Sequence, residues 1–414
     1  MPVPEHLGTV RLSVSATGAE LSAAVAQGTI LHRARIAYDA ARVADLSGRI
    51  VAVLARGARQ RTLTQPALAD LRTLGEELAR AILPAETRAD LAELDGQPLL
   101  LEIDEALVAV PWELLFDGRK FLCRRFDLGR TVVMHGPRRA APARRMSRPA
   151  QMLIVCSDPR GDLAAVADEG QAIVDALDAH RGVSVRMASG KGVEFVRKAM
   201  KDYDFLHFAG HAEHDSGDPA ASAWLLADGK LTARAIAELS GGRSMPFLVF
   251  ANGCASAHAG GAESVFGLAN AFLTSGVRYY IGTQWEIVDA QSRVFATSFY
   301  TELGRGRSIG AAARRAREAV IVAEGEGGLG WAGYVVYGDP VIAPLAAEDA
   351  PNLPPLPTPA QISSRESIKG VVKRVSRPLA VAPPRVRDTG LPLWLFVALA
   401  ALIVGVAAAF ILGR

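Results

Sequence analysis

The sequence predicts an α/β protein: a mainly parallel sheet with helices on both faces, preceded by an α+β half and followed by one C-terminal membrane-spanning helix. Three observations predict it. From residue 151 onward, short apolar runs alternate with stretches of helical period, the rhythm of strand–helix–strand units joined by right-handed crossovers. A Pro- and Arg-rich stretch at 137–150 separates this part from a different pattern before it. Residues 391–412 then run without a single charge.

In residues 1–136, alternation over 10–14 predicts a strand. Leu68, Leu71, Leu74, Leu78 and Ile82 repeat at helical spacing and predict a helix over 67–83. Residues 98–103 (PLLLEI) read as a buried strand, followed by VPWELL at 110–115. Residues 137–150 read as an exposed basic linker. The second body, 151–345, begins with a strand at 151–156, a helix at 163–180, a strand at 183–187 and a helix at 194–200. A strand at 204–209, a helix at 232–239 and a strand at 246–251 follow. A helix at 264–275, a strand at 277–283 and a helix at 289–303 complete the rhythm.

Residues 346–390 are a tether: 351–390 alone hold eight prolines and seven Lys/Arg against two acidic residues. An uncharged run of about 20 residues is long enough to cross a hydrocarbon core of about 30 Å, so 391–412 is expected to be a tail anchor. Lys373, Arg374, Arg377, Arg385 and Arg387, just upstream, would hold the body in the cytoplasm and contribute about 1 kcal/mol each against anionic lipid. The N-terminus lacks the basic-then-apolar pattern of a secretory signal. A net charge of +3 gives no global field for nucleic acid. Three dispersed cysteines, Cys123, Cys156 and Cys254, exclude a disulfide framework and suit a reducing compartment.

Two of the expected strands run into reactive residues. The first leads into Gly210, His211 and Ala212, the second into Asn252, Gly253 and Cys254. A cysteine and a histidine on loops beyond neighbouring strand ends are what nucleophilic catalysis needs, the imidazole stabilising a thiolate. Gly210 and Gly253 would allow tight turns that aim backbone N–H groups at an oxyanion. The plainer readings stand beside these: a strand cysteine is commonly core, His207 is a satisfied core histidine or an orienting partner, and His214 is a solvated loop residue. Cys123 and Cys156 read as buried thiols. No metal or organic cofactor is expected, since no paired cysteines support a zinc site from His207, His211 and Cys254.

Five motifs in order, PWELL (111–115), FLHFAGH (205–211), NGCAS (252–256), GTQWEIVD (282–289) and WAGYVVYGDP (331–340), resemble those of the CHAT family of caspase-like cysteine peptidases, over roughly residues 65–345. The resemblance implies a caspase/separase-type fold with His211 as general base and Cys254 as nucleophile. Ala212 departs from it, because the family usually carries a second glycine after the histidine. The segment after the nucleophile's helix is implied to line the pocket for the residue before the cleaved bond. Here it offers Trp285, Glu286 and Asp289, and no basic residue before Arg293. Asp289 resembles the separase aspartate that receives a substrate arginine, and it also stands where a helix cap would. Trp285 reads as pocket wall or core.

With the anchor and basic flank expected above, the resemblance implies a membrane-tethered cytoplasmic endopeptidase cleaving after a basic residue of a partner protein in bacterial signalling or antiviral defence. Gasdermin-like or other neighbouring-gene products are the candidate substrates. A non-catalytic scaffold and a small-substrate acyl hydrolase are the rival expectations. The linker at 138–148 is a candidate for self-cleavage after Arg139 or Arg145, with Pro149 protecting Arg148.

Overall fold

The structure is a computed structural model that describes residues 8–134, 144–163, 165–215, 217–240, 245–255 and 262–349, with positions 240, 254, 255, 262–265 and 348 described by backbone alone. The described strands form one sheet of thirteen. The first half contributes β1 (Val10–Thr17), β2 (Glu20–Gln27) and β3 (Ile30–Ala37), an antiparallel meander. Helices α1 (Ala40–Gln60), α2 (Gln65–Ile82) and α3 (Ala85–Ala92) follow, then β4 (Pro98–Asp104), α4 (Leu122–Arg125) and β5 (Asp127–Val133). β1, β4 and β5 are parallel neighbours. The helix starts are written in the sequence: Asp39 caps α1 by accepting from the Arg42 amide at 3.0 Å, and Thr64 caps α2.

The second half runs β6 (Ala150–Ser157), α5 (Ala165–Leu177), β7 (Val183–Ser189), α6 (Val193–Asp202) and β8 (Phe205–Glu213). Next come the hairpin β9 (Ala223–Leu226) and β10 (Gly229–Thr232), α7 (Ala233–Ala237), β11 (Leu248–Ala255), α8 (Ala262–Thr274) and β12 (Tyr279–Thr283). Helices α9 (Asp289–Gly304), α10 (Ile309–Glu324) and α11 (Gly330–Gly333) lead to β13 (Tyr334–Tyr337). Strands β7, β6, β8, β11 and β12 lie side by side and parallel. β13 joins β12 antiparallel and meets β5 at Tyr337–Arg130, making both halves one sheet. The hairpin β9–β10 pairs with the end of β8, beyond the reach of β6.

Both faces are covered, as the near-continuous apolar strands require. Over one face, Phe208 stacks on Trp224, and Trp224 meets Phe272 of α8. On the other, His207 and Phe250 pack against Tyr300 of α9, and α5 lies beside α9. At the junction of the halves, Glu113 of the PWELL motif is fully buried and accepts from Arg130 Nε at 2.9 Å and from its Nη2. A buried charge is tolerated only when paired, which gives that motif a structural reason.

Part of the expected linker is anchored. Arg144 donates from Nε to the buried Asp204 at 2.7 Å and from its two other nitrogens to the carbonyls of Lys201 and Asp202. The amides of Ser147 and Gln151 also donate to Asp204. Arg138 and Arg139 lie outside the described residues, as do most of the tether and the span expected at 391–412. No helix among the described residues is long and apolar enough to cross a membrane.

Candidate active site

Strands β8 and β11 run parallel in register, with Gly253 opposite Gly210 and Cys254 opposite His211. Neighbouring strands lie about 4.8 Å apart, and the pleat puts register partners of a parallel pair on one face. This corrects the expectation of loops. Both strands continue past the apolar runs, β8 to Glu213 and β11 to Ala255, so His211 and Cys254 stand on strand ends.

The glycines are corrected with them. Gly210 and Gly253 make no turn; each is needed for close approach. A Cβ at Gly210 would collide with the Ser157 carbonyl, and one at Gly253 would stand 2.9 Å from the Ala212 Cβ. Ala212 is itself extended and buried, so the departure from a second glycine demands no left-handed backbone. The Gly253 carbonyl accepts from Thr283 Oγ1 at 3.1 Å.

His211 is nearly buried and its Nε2 lies 2.6 Å from Asp162 Oδ1, with Asp158 Oδ1 at 3.9 Å. The loop after β6 builds this contact. Asp158 accepts from the amides of Gly161, Asp162 and Leu163 at 2.8, 3.1 and 3.0 Å, folding the loop back so that Asp162 faces β8. The hydrogen bond from His211 holds the Asp162 carboxyl below the ordinary aspartate range. Asp158, Asp162 and His211 also form the one cluster among the described residues whose ligand atoms, all within 4.8 Å of one another, could hold a metal ion. Sequence reasoning missed both aspartates. Their signal, two acids on the loop just past a strand end, is common in any α/β protein.

Below this, a buried polar network ties five elements together. Both carboxylate oxygens of Glu169 of α5 accept from the Asn252 amide nitrogen, at 2.8 and 2.9 Å, and one of them meets His207 Nε2 at 2.8 Å. His207 Nδ1 lies 3.3 Å from the Tyr300 hydroxyl, and Tyr334 donates to Asn252 Oδ1 at 2.8 Å. Burial and the Glu169 charge push the Tyr300 hydroxyl well above its usual range, which keeps it protonated as a donor. His207 is thus a satisfied core histidine beneath the strand ends.

Asp289 is the first residue of α9, and Val288 at the cap makes no side-chain bond. Among the described residues the Asp289 carboxylate has no hydrogen-bond or ion-pair partner. Burial raises its pKa and Glu169 adds to the rise, while Arg61 and His211 pull it back. The charges of Glu169, Arg61, His211 and Asp162 all act on this carboxylate. Glu286 is exposed and makes no hydrogen bond or ion pair among the described residues. Trp285 is buried with its ring nitrogen against Gly333, a core placement. Cys123 and Cys156 are buried thiols pushed up to about 11 by desolvation, unsuited to nucleophilic work.

A mostly parallel sheet with helices on both faces, and a His and a Cys as register partners at adjacent strand ends, defines an α/β protein of the caspase/separase architecture. The CHAT domain pattern matches residues 72–339, and the chain belongs to the CHAT domain family. Saccharomyces cerevisiae separase, in its complex with securin, matches at 11% identity with a TM-score of 0.50, over 80% of this chain and 30% of that one. A second structure of that complex matches at 16% identity and a TM-score of 0.38, over 58% and 15%. The pro- and mature domains of Porphyromonas gingivalis RgpB match at 11% identity and a TM-score of 0.43, over 68% and 70%. The chain spans 30% or less of the separase chains it matches. No curated protein matches it. Family and fold together point to the caspase-like cysteine peptidases.

Proposed function

We propose that this chain is a cysteine endopeptidase in which Cys254 is the nucleophile, His211 the general base, and Asp289 the residue that selects a substrate arginine. The observation that carries the reading is the pairing of positions 211 and 254 at the C-terminal ends of adjacent parallel strands, where α/β sheets hold their chemistry. His211 takes the thiol proton, and the thiolate attacks the scissile carbonyl. The imidazolium then protonates the leaving amine, and water, deprotonated by the same ring, releases the acyl group. Asp162 positions the ring and offsets its positive charge when it is protonated. The Asp289 carboxylate, without a hydrogen-bond or ion-pair partner among the described residues, suits a guanidinium that brings two parallel hydrogen bonds.

The body is read as tethered by residues 346–390 to a membrane span at 391–412, with a partner protein as substrate and a role in bacterial signalling or defence. The uncharged run and its basic flank support this part. A fluorogenic peptide panel differing only in the residue before the cleaved bond tests the reaction. Cleavage after arginine, lost in Cys254→Ala, is expected. Equal turnover by wild type and Cys254→Ala overturns the reading. Deleting 391–414 is expected to release an active, soluble body; a truncated chain that stays with membranes after a high-salt wash contradicts the anchor.

A further inference from the structure

Helix α1 ends on Arg61, whose φ of 60° is the only left-handed backbone at a non-glycine residue among the described residues. Glycine or asparagine ordinarily takes such a position, and a longer side chain is disfavoured there. The segment after Arg61 is fastened to the start of α9. Leu63 N and Thr62 Oγ1 donate to the Gly327 carbonyl at 2.7 and 3.3 Å. The amides of Leu329 and Gly330 donate to Gln291 Oε1, both at 2.8 Å, and Gln291 is two residues beyond Asp289. The joint is tight: a Cβ at Gly57 would stand 2.6 Å from Leu63 Cδ2 and 3.1 Å from Leu329 Cδ2. The end of α1 and the N-terminus of α9 are therefore held together by the 327–330 loop.

Among the described residues, neither the exposed Arg61 guanidinium nor the Asp289 carboxylate makes a hydrogen bond or ion pair. Yet Arg61 is near enough for its charge to lower the Asp289 carboxyl against the effects of burial and Glu169.

We propose that Arg61 is a specificity-determining residue of the candidate pocket, the resident counter-charge of Asp289 that an incoming substrate guanidinium has to overcome. The inference rests on the reading of Asp289 as the arginine-selecting residue. Arg61 does not touch the reacting atoms, so it sets how tightly arginine is held and leaves the chemical step alone. Its position on the far half of the chain makes the pocket a joint product of α1 and α9.

The test titrates N-acetyl-arginine-amide into the full chain by ligand-observed NMR, with N-acetyl-citrulline-amide as the neutral isostere. Three proteins are compared: wild type, Arg61→Asn and Asp289→Asn. Asparagine suits the left-handed backbone and removes the charge, so the fold is kept. Because Arg61 shares the attraction of Asp289 and repels an incoming guanidinium, removing it is expected to tighten arginine-amide binding about five-fold. The gain should shrink at high salt and be absent for the citrulline probe. Asp289→Asn should lose the preference for arginine over citrulline. If Asp289→Asn loses that preference while Arg61→Asn binds arginine no more tightly, the Arg61 inference fails alone. If Asp289→Asn keeps the preference, or none of the three proteins binds the arginine probe, the pocket reading fails and the inference with it.

Discussion

The Nε2 of His211 lies 2.6 Å from Oδ1 of Asp162, a carboxylate delivered by the loop after β6. The contact fixes which way the imidazole faces across the strand ends. Asp162 is solvent-exposed, so its hold is that of a positioning residue. Asp162→Asn is expected to lower kcat about ten-fold on arginine peptides and leave KM unchanged, because ring orientation matters only in the transition state. A change in KM alone would assign Asp162 to substrate binding instead.

Asp289 gives a pH prediction. Burial raises its carboxyl above the ordinary aspartate range, so the charged form is disfavoured in the folded chain. As pH falls through that raised range the carboxylate is protonated and the attraction for guanidinium is lost. Arginine preference should therefore disappear on acidification at a higher pH than an ordinary aspartate would give. Preference measured as the arginine-to-citrulline binding ratio should follow one ionisation, absent in Asp289→Asn. The same protonation relieves a buried charge, so through this group the folded chain gains stability as pH falls through the raised range towards the ordinary aspartate range, a gain absent in Asp289→Asn.

The Glu169 network is a structural prediction. Glu169→Ala removes the partner of His207 and Asn252 together, leaving two buried polar side chains short of a bond. A cost of about 2–4 kcal/mol is expected, read as a lowered denaturant midpoint. Activity should fall by more than stability accounts for, since Asn252 precedes position 254 by two residues on β11 and His207 precedes position 211 by four on β8, on the same faces.

The linker yields a prediction about self-cleavage. Arg144 spends its guanidinium on Asp204 and two carbonyls, so it is not free to enter a pocket. Intact-mass analysis of active protein beside Cys254→Ala should place any cut within 137–150 at Arg139 or Arg145 and spare the bond after Arg144. Cleavage after Arg144 in the wild type would contradict this anchoring, whereas its appearance only in Asp204→Asn would support it.

The second half was legible because its apolar runs and helical repeats alternate cleanly; the helix expected at 289–303 is α9 at Asp289–Gly304. The hairpin β9–β10 escaped notice because its four-residue strands carry too few residues for a period to show. β3 was missed for another reason: as an edge strand with Ile30 and Leu31 exposed, it lacks the alternation of a half-buried one. Of the candidate site, His211, Cys254 and Asp289 were visible as motif residues. Asp162 and Glu169 were not, since each reaches the site through a tertiary hydrogen bond, and no period marks which acid of a loop or of a helix makes one.

The most direct test of the central claim is alkylation by a peptidyl-arginine chloromethyl ketone, mapped by peptide mass analysis of the full chain. The account predicts one adduct, on Cys254, formed with the arginine probe and not with its leucine analogue, and abolished by His211→Ala. An unmodified Cys254 in a chain whose thiols all react once denatured, or equal labelling by both probes, would contradict it.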